Sequence, residues 1–138
     1  MGTAKFLSRS NERNILKTFT IIGTPHYMAP EIVKSKGYSF PVDYWSIGIC
    51  LYEFMCGMLP FGEDTEDPYE IYEEILKKEI KYPSYLKDKK ARRLMNQLLS
   101  EVPEVRVNGS FGSIKADPWF GDFDWVWLRK IIEKLVVF

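Results

Sequence analysis

The sequence predicts a mainly α-helical protein built around one central, apolar helix. Several segments repeat apolar residues with a helical period, and helix-capping residues stand before them. Only one short run, residues 18–22, is rich in strand-forming residues. A length of 138 residues fits a single domain. A hydrophobic content of 46% is ample for a core and argues against disorder.

The N-terminal part of the chain is predicted to be non-helical. Residues 1–18 are polar and charged, which is typical of a loop. Residues 18–22 are β-branched and extended in character, and Gly23 and Pro25 end this segment.

Helices are predicted along the rest of the chain, because helix-starting or capping residues precede the apolar segments. Pro30 can occupy a first helical turn, Asp67 can cap a helix that begins at Pro68, and Asp124 can cap the last helix. The predicted helices cover residues 30–35, a segment from residue 39 or 41 to 57, residues from 68 onward, a segment that follows Ser84 or Tyr85 and ends at about 99, and residues 111–116 and 125–135. A loop is predicted over residues 101–112.

The helix predicted over residues 41–57 is apolar on nearly every face. Such a helix is expected to be buried on all sides. It is shorter than the ~20 apolar residues that a membrane span needs. We therefore interpret it as the central pillar of a helical domain.

Charge and cysteine content exclude some classes of protein. The 19 basic and 19 acidic residues give a net charge of zero, so no global field draws the chain to nucleic acid. Cys50 and Cys56 fit neither a metal pair nor a CxxC motif, and we interpret them as buried free thiols in a reducing compartment. No signal peptide or membrane span is recognisable, so we expect a cytoplasmic protein.

A series of motifs carries the information about function. Residues 23–31 read Gly-Thr-Pro-His-Tyr-Met-Ala-Pro-Glu, and residues 43–48 read Asp-Tyr-Trp-Ser-Ile-Gly. Leu59-Pro60-Phe61, Arg106 and Asp117-Pro118-Trp119-Phe120 follow in that order. The whole series resembles the C-terminal lobe of protein kinases, and its first motif is similar to the end of a kinase activation segment.

Within the protein kinases, the chain is most similar to the AGC-type serine/threonine kinases. The sequence of residues 120–125 is similar to basophilic serine/threonine kinases that are regulated by second messengers. Within that group, the sequences of residues 51–57 and 128–130 resemble cyclic-GMP-dependent protein kinases of the protozoan type. The resemblance covers essentially the whole chain and implies a truncated, helical C-terminal lobe around a central buried helix.

The resemblance also implies a division of the chain, all of which (residues 1–138) would be part of one kinase domain. Residues 2–31 would form the activation segment, residues 32–119 the helical lobe, and residues 120–138 the start of the AGC C-terminal tail.

The parent enzyme implied by the resemblance transfers the γ-phosphate of ATP, with Mg, to protein serine or threonine. The 138 residues contain no Gly-rich phosphate loop, strand lysine or His-Arg-Asp loop, and these parts do most of the positioning in kinases. We therefore expect this chain alone to bind no ATP–Mg cofactor and to be inactive. The implied partners are peptides with basic residues and, in the parent, its own N-terminal lobe and cyclic-nucleotide-binding domains.

The resemblance assigns regulatory and substrate-binding roles near the N-terminus. Thr20 matches the activating phosphorylation site, and Lys5 matches a residue that pairs with the phosphate. The alternative is that Thr20 is only a β-branched residue in a loop and has no regulatory role. The substrate platform is implied to include Ile21, Thr24, Pro25 and Met28; plain loop packing is the alternative for each.

Other residues are assigned from the helical part. Glu31 and Arg106 are implied to form a partly buried, bidentate ion pair under the activation segment, with Trp45 packed over it. Asp43 is implied to anchor the catalytic loop. An acidic residue in the first turn of a helix is also favoured by the helix dipole, and both roles are compatible. Glu53 is implied to recognise a basic residue of the substrate, or to be a polar residue at a helix edge.

Two alternatives remain open beside the kinase interpretation. The chain could be a non-catalytic, kinase-derived interaction module. The last helix, which is apolar on one side and basic on the other, could bind a membrane or a partner rather than pack in the core. We also expect the isolated chain to form a homodimer or exchange segments, because the central helix is too apolar to face water.

Overall fold

The computed structural model describes residues 24–37, 39–107 and 110–136, and every regular element in these ranges is helical. A short 3₁₀ turn over Pro25–Tyr27 precedes seven α-helices. They are α1 (Pro30–Val33), α2 (Pro41–Cys56), α3 (Pro68–Lys77), α4 (Lys89–Leu98), α5 (Pro103–Val107), α6 (Phe111–Lys115) and α7 (Trp125–Val136). The mainly α-helical fold class is therefore confirmed.

Two helices begin at capping residues that the sequence predicted. The Asp67 side chain accepts a hydrogen bond from the backbone N–H of Tyr69 at the start of α3. At the start of α7, the Asp124 side chain accepts one from the backbone N–H of Trp127. These contacts satisfy backbone donors that lack an intrahelical partner.

Two predicted boundaries are wrong. The helix predicted to follow Ser84 or Tyr85 directly begins only at Lys89, because Asp88 caps it by accepting from the backbone N–H groups of Lys90 and Ala91. The predicted loop over residues 101–112 contains α5, which begins at Pro103, a residue suited to a first helical turn.

The central helix α2 packs against α4, α5 and the 3₁₀ turn. Its close approach to α4 depends on Gly48, because a Cβ atom there would lie 2.9 Å from the Cβ of Leu98. One side of α2 supplies the large buried side chains Trp45, Ile49 and Tyr52.

The prediction that α2 is buried on all sides is wrong for the described residues. Ile47 is 50% exposed and Phe54 is 86% exposed, and Phe40 just before the helix is 65% exposed. These residues project away from α4 and α5, so the described helices cover only one side of α2. No helix in the described part of the chain has the length and apolar character needed to cross a bilayer.

Candidate functional site

The predicted substrate platform is a short turn fixed to the central helix. The backbone N–H of Tyr27 donates to the carbonyl of Thr24, which closes the 3₁₀ turn over Pro25–Tyr27. The Ser46 hydroxyl donates to the carbonyl of Tyr27 over 3.1 Å and so ties this turn to α2. Thr24 itself is exposed and Pro25 is half-buried, so both have surface available to a ligand.

Met28 points inward, and His26 points to a neighbouring loop. Met28 is only 5% exposed, so it offers little surface to the apolar pocket that the resemblance assigns to it. The His26 ring donates through Nε2 to the carbonyl of Gly62, at 3.2 Å. This hydrogen bond gives the histidine a role in holding the turn.

A second link joins the turn to α2 through side chains. The Tyr27 hydroxyl donates to Oε2 of Glu53 over 2.8 Å. This hydrogen bond, together with partial burial, raises the pKa of Tyr27 to about 12. Glu53 is exposed, so its carboxylate lies at the surface beside the turn.

Glu31 and Arg106 form a bidentate ion pair. Nη1 of Arg106 lies 2.6 Å from Oε1 of Glu31, and Nη2 lies 2.8 Å from Oε2. The arginine side chain is fully buried and that of Glu31 is 12% exposed. Two parallel charge-assisted hydrogen bonds fix both the distance and the orientation of the two groups.

The remaining donors of Arg106 go to backbone carbonyls. Nε donates to the carbonyl of Ser100 over 2.7 Å. In addition to their bonds to Glu31, Nη1 donates to the carbonyl of Pro41 over 3.3 Å and Nη2 donates to the carbonyl of Glu101 over 3.4 Å. With the two bonds to Glu31, all five N–H groups of the guanidinium have an acceptor. The arginine therefore joins α1, the start of α2 and the loop before α5.

An aromatic stack covers this buried charge. The guanidinium carbon of Arg106 lies 5.1 Å from the centre of the Trp45 ring, within the range of a cation–π contact. Trp45 in turn stacks on Phe61, with ring centres 5.8 Å apart and planes 10° apart. The stack covers the arginine side of the ion pair.

The other predicted site residues are not brought into this cluster. Asp43 is exposed in the first turn of α2. Lys5, Thr20 and Ile21 lie outside the described residues. In the described ranges, no group of three or more His, Cys, Asp or Glu side chains is arranged to hold a metal ion.

Sequence reasoning missed three parts of the site. It gave no role to Tyr27, although this tyrosine lies within the motif that identified the site. It also gave no role to Ser46 or to the backbone carbonyls around Arg106. Backbone acceptors leave no pattern of residue types, so no sequence signal could have identified the carbonyls that accept from Arg106.

The chain belongs to the protein kinase domain family, whose family model matches residues 1–120. Among curated proteins, it is 50% identical over 112 residues to a cGMP-dependent protein kinase of Toxoplasma gondii. It is 49% identical over 112 residues to a cGMP-dependent protein kinase of Eimeria tenella. Each of these matches covers 79% of this chain and 11% of the relative.

More distant relatives belong to neighbouring groups of kinases. The chain is 41% identical over 111 residues to a cAMP-dependent protein kinase catalytic subunit of Arthrobotrys oligospora, a match that covers 78% of this chain and 21% of the relative. The predicted resemblance to AGC-type kinases, and within them to the cGMP-dependent group, is confirmed. The chain spans only about a tenth of the length of the Toxoplasma and Eimeria relatives.

Proposed function

We propose that this chain forms the substrate-binding part of the C-terminal lobe of a cGMP-dependent serine/threonine protein kinase. The parent protein would transfer the γ-phosphate of ATP to serine or threonine side chains of proteins. The observation that carries the proposal is the buried ion pair between Glu31 and Arg106, at the end of the turn that would receive the substrate.

Rigid positioning is the property that a kinase needs from this region. Phosphoryl transfer depends mostly on alignment of the two reactants and on charge neutralisation, because the protein does little covalent chemistry. Two contacts hold the platform at Thr24 and Pro25. One is the hydrogen bond from Ser46 to the carbonyl of Tyr27, and the other is the ion pair between Glu31 and Arg106. Both supports reach the central helix or its first turn.

Preference for basic substrates would come from Glu53. One oxygen of its carboxylate accepts from Tyr27, and the group lies at the surface next to the platform. Among the described residues, the other oxygen has no hydrogen-bond partner. An arginine of a peptide could donate to it in a charge-assisted hydrogen bond.

The remaining roles depend on parts that the 138 residues do not contain. We propose that ATP and Mg bind to those parts, so this polypeptide made alone would transfer no phosphate. Asp43 would anchor the catalytic loop of the parent, and a phosphate on Thr20 would pair with Lys5. Within the parent, the lobe would contact the N-terminal lobe and the cyclic-nucleotide-binding domains.

We also propose a cytoplasmic location and self-association of the isolated chain. The two cysteines are free, as is usual in a reducing compartment. Phe40, Ile47 and Phe54 form an exposed apolar face along α2, and exposed patches of this kind often mark an interface.

A chimera tests the main proposal. Residues 1–120 would replace the matching part of the Toxoplasma gondii cGMP-dependent kinase, and transfer of phosphate to a basic peptide would be measured with and without cGMP. We expect cGMP-dependent activity, and we expect this activity to be lost when Arg106→Leu removes the ion pair with Glu31. A folded chimera without activity, combined with peptide binding by the isolated chain, would instead favour a non-catalytic interaction module.

A further inference from the structure

The last helix, α7, has an apolar side that the described residues leave mostly uncovered. None of its residues is buried. Its first turn is attached to the neighbouring described residues, where the Trp125 ring N–H donates to the carbonyl of Lys115 and the ring packs edge-on against Phe120. Five apolar residues of α7 are exposed: Val126, Trp127, Ile132, Leu135 and Val136.

Apolar and charged residues are separated around this helix. At 3.6 residues per turn, one half of its circumference carries residues 125, 128, 131, 132, 135 and 136, with Trp127 at the edge. All of these are apolar. The opposite half contains the four charged residues, three of them basic, and Val126. This pattern is typical of helices that lie in a membrane interface.

The positive charge is placed at the boundary between the two halves. Lys130 and Lys134 are exposed and lie one turn apart on the side next to Trp127. The only acidic residue of the helix, Glu133, is paired with Arg129 at 3.0 Å. No acidic group of the described residues lies within ion-pair distance of either lysine.

We propose that α7 binds the surface of an anionic lipid bilayer, with its apolar half in the interface and Lys130 and Lys134 at the headgroups. Lysine stems can extend along the apolar boundary while the ammonium groups contact lipid phosphates and carboxylates. A second copy of the chain is a poorer occupant, since it would bring like charges to the edge of the same interface.

Vesicle flotation of the full 138-residue chain tests this proposal. We expect the chain to float with vesicles of equimolar phosphatidylcholine and phosphatidylserine, to float much less with phosphatidylcholine alone, and to be released by high salt. The double variant K130E/K134E should lower the partition coefficient about tenfold or more. Leu135→Asp should abolish binding.

The controls separate lipid binding from general stickiness and from misfolding. Tyr69→Asp changes an exposed aromatic residue on α3, outside both α7 and the apolar face of α2, and should float like the wild type. The α7 variants should keep their helical circular dichroism and urea midpoint, because no residue of α7 is buried. Addition of anionic vesicles should shift tryptophan emission to the blue, and Trp127→Phe should remove most of this shift.

Three results would overturn the proposal. The first is a wild-type chain that does not float with anionic vesicles at low salt. The second is flotation of Leu135→Asp equal to that of the wild type. The third is a lower molar mass of Leu135→Asp in light scattering without lipid, which would make a second copy the occupant of this face.

Discussion

Arg106 and Glu31 are 75 residues apart in sequence and hold each other through two parallel hydrogen bonds of 2.6 and 2.8 Å. The contact joins α1, the short helix that follows the platform, to α5. Because the arginine is fully buried and Glu31 is only 12% exposed, loss of either partner leaves an unpaired charged group with little access to solvent.

Removal of one partner of this pair should destabilise the fold strongly. Arg106→Leu should lower the free energy of unfolding by about 3–5 kcal/mol, the usual cost of leaving one charge of a buried pair alone. Urea denaturation followed by circular dichroism measures the change. Lys34→Met is the matched control, because the Lys34–Glu101 pair is exposed at 33% and 57% and should contribute only about 0–1 kcal/mol. Equal effects of the two variants would contradict the prediction.

The raised pKa of Tyr27 should make stability depend on pH in the alkaline range. The phenol has a pKa near 10 when unfolded and about 12 when folded, so its contribution is complete below pH 10 and is lost as pH rises toward 12. The difference in unfolding free energy between the wild type and Tyr27→Phe should be constant from pH 7 to about 9 and should shrink between about pH 10 and 12. A difference that stays constant up to pH 12 would show that the Glu53 hydrogen bond does not act on this titration.

The apolar face of α2 should drive self-association of the isolated chain. Light scattering at micromolar concentration should give a mass above that of the monomer, and Phe54→Asp should reduce it to the monomer value. Tyr69→Asp is the control, because Tyr69 is a similarly exposed aromatic residue, at 79%, on α3 rather than α2. A compact wild-type monomer would refute the prediction.

Glu53 should determine the preference for basic peptides in the active chimera. Replacement by Gln removes one charge, so kcat/KM for a peptide with an upstream arginine should fall roughly tenfold or more, as expected for a charge-assisted hydrogen bond. The same peptide with alanine at that position should react at similar rates with both enzymes. If both peptides lose the same factor, Glu53 supports the platform through Tyr27 and does not read the substrate.

Helix positions were predicted well where a local signal exists. Pro41, Asp67 and Asp124 each stand at or just before the first residue of a helix and perform there the function that their chemistry favours. The start of α4 was misplaced because both Ser84 and Asp88 are good capping residues. Only the backbone decides between them, and the structure has Asp88 bonded to two N–H groups.

The details of the site were harder to predict because they depend on side-chain orientation and on contacts between residues that are distant in sequence. The Glu31–Arg106 contact followed from a family resemblance, whereas the three carbonyls that complete the arginine shell carry no residue signature. The burial of Met28 could not be predicted from a helical period, because this residue follows a short 3₁₀ turn and lies outside any helix. The composition of α2 likewise shows that it is apolar, but not which of its sides the neighbouring helices cover.

Arg106 has no donor to spare, because its five N–H groups already serve one carboxylate and three carbonyls. Lysine offers three donors from a single nitrogen and could not reproduce this arrangement. A saturated guanidinium also makes a poor sensor, since an incoming phosphate would have to displace bonds that hold three segments together. Arg106 therefore has a structural role, and a phosphate that binds to this lobe would have to pair with other basic side chains.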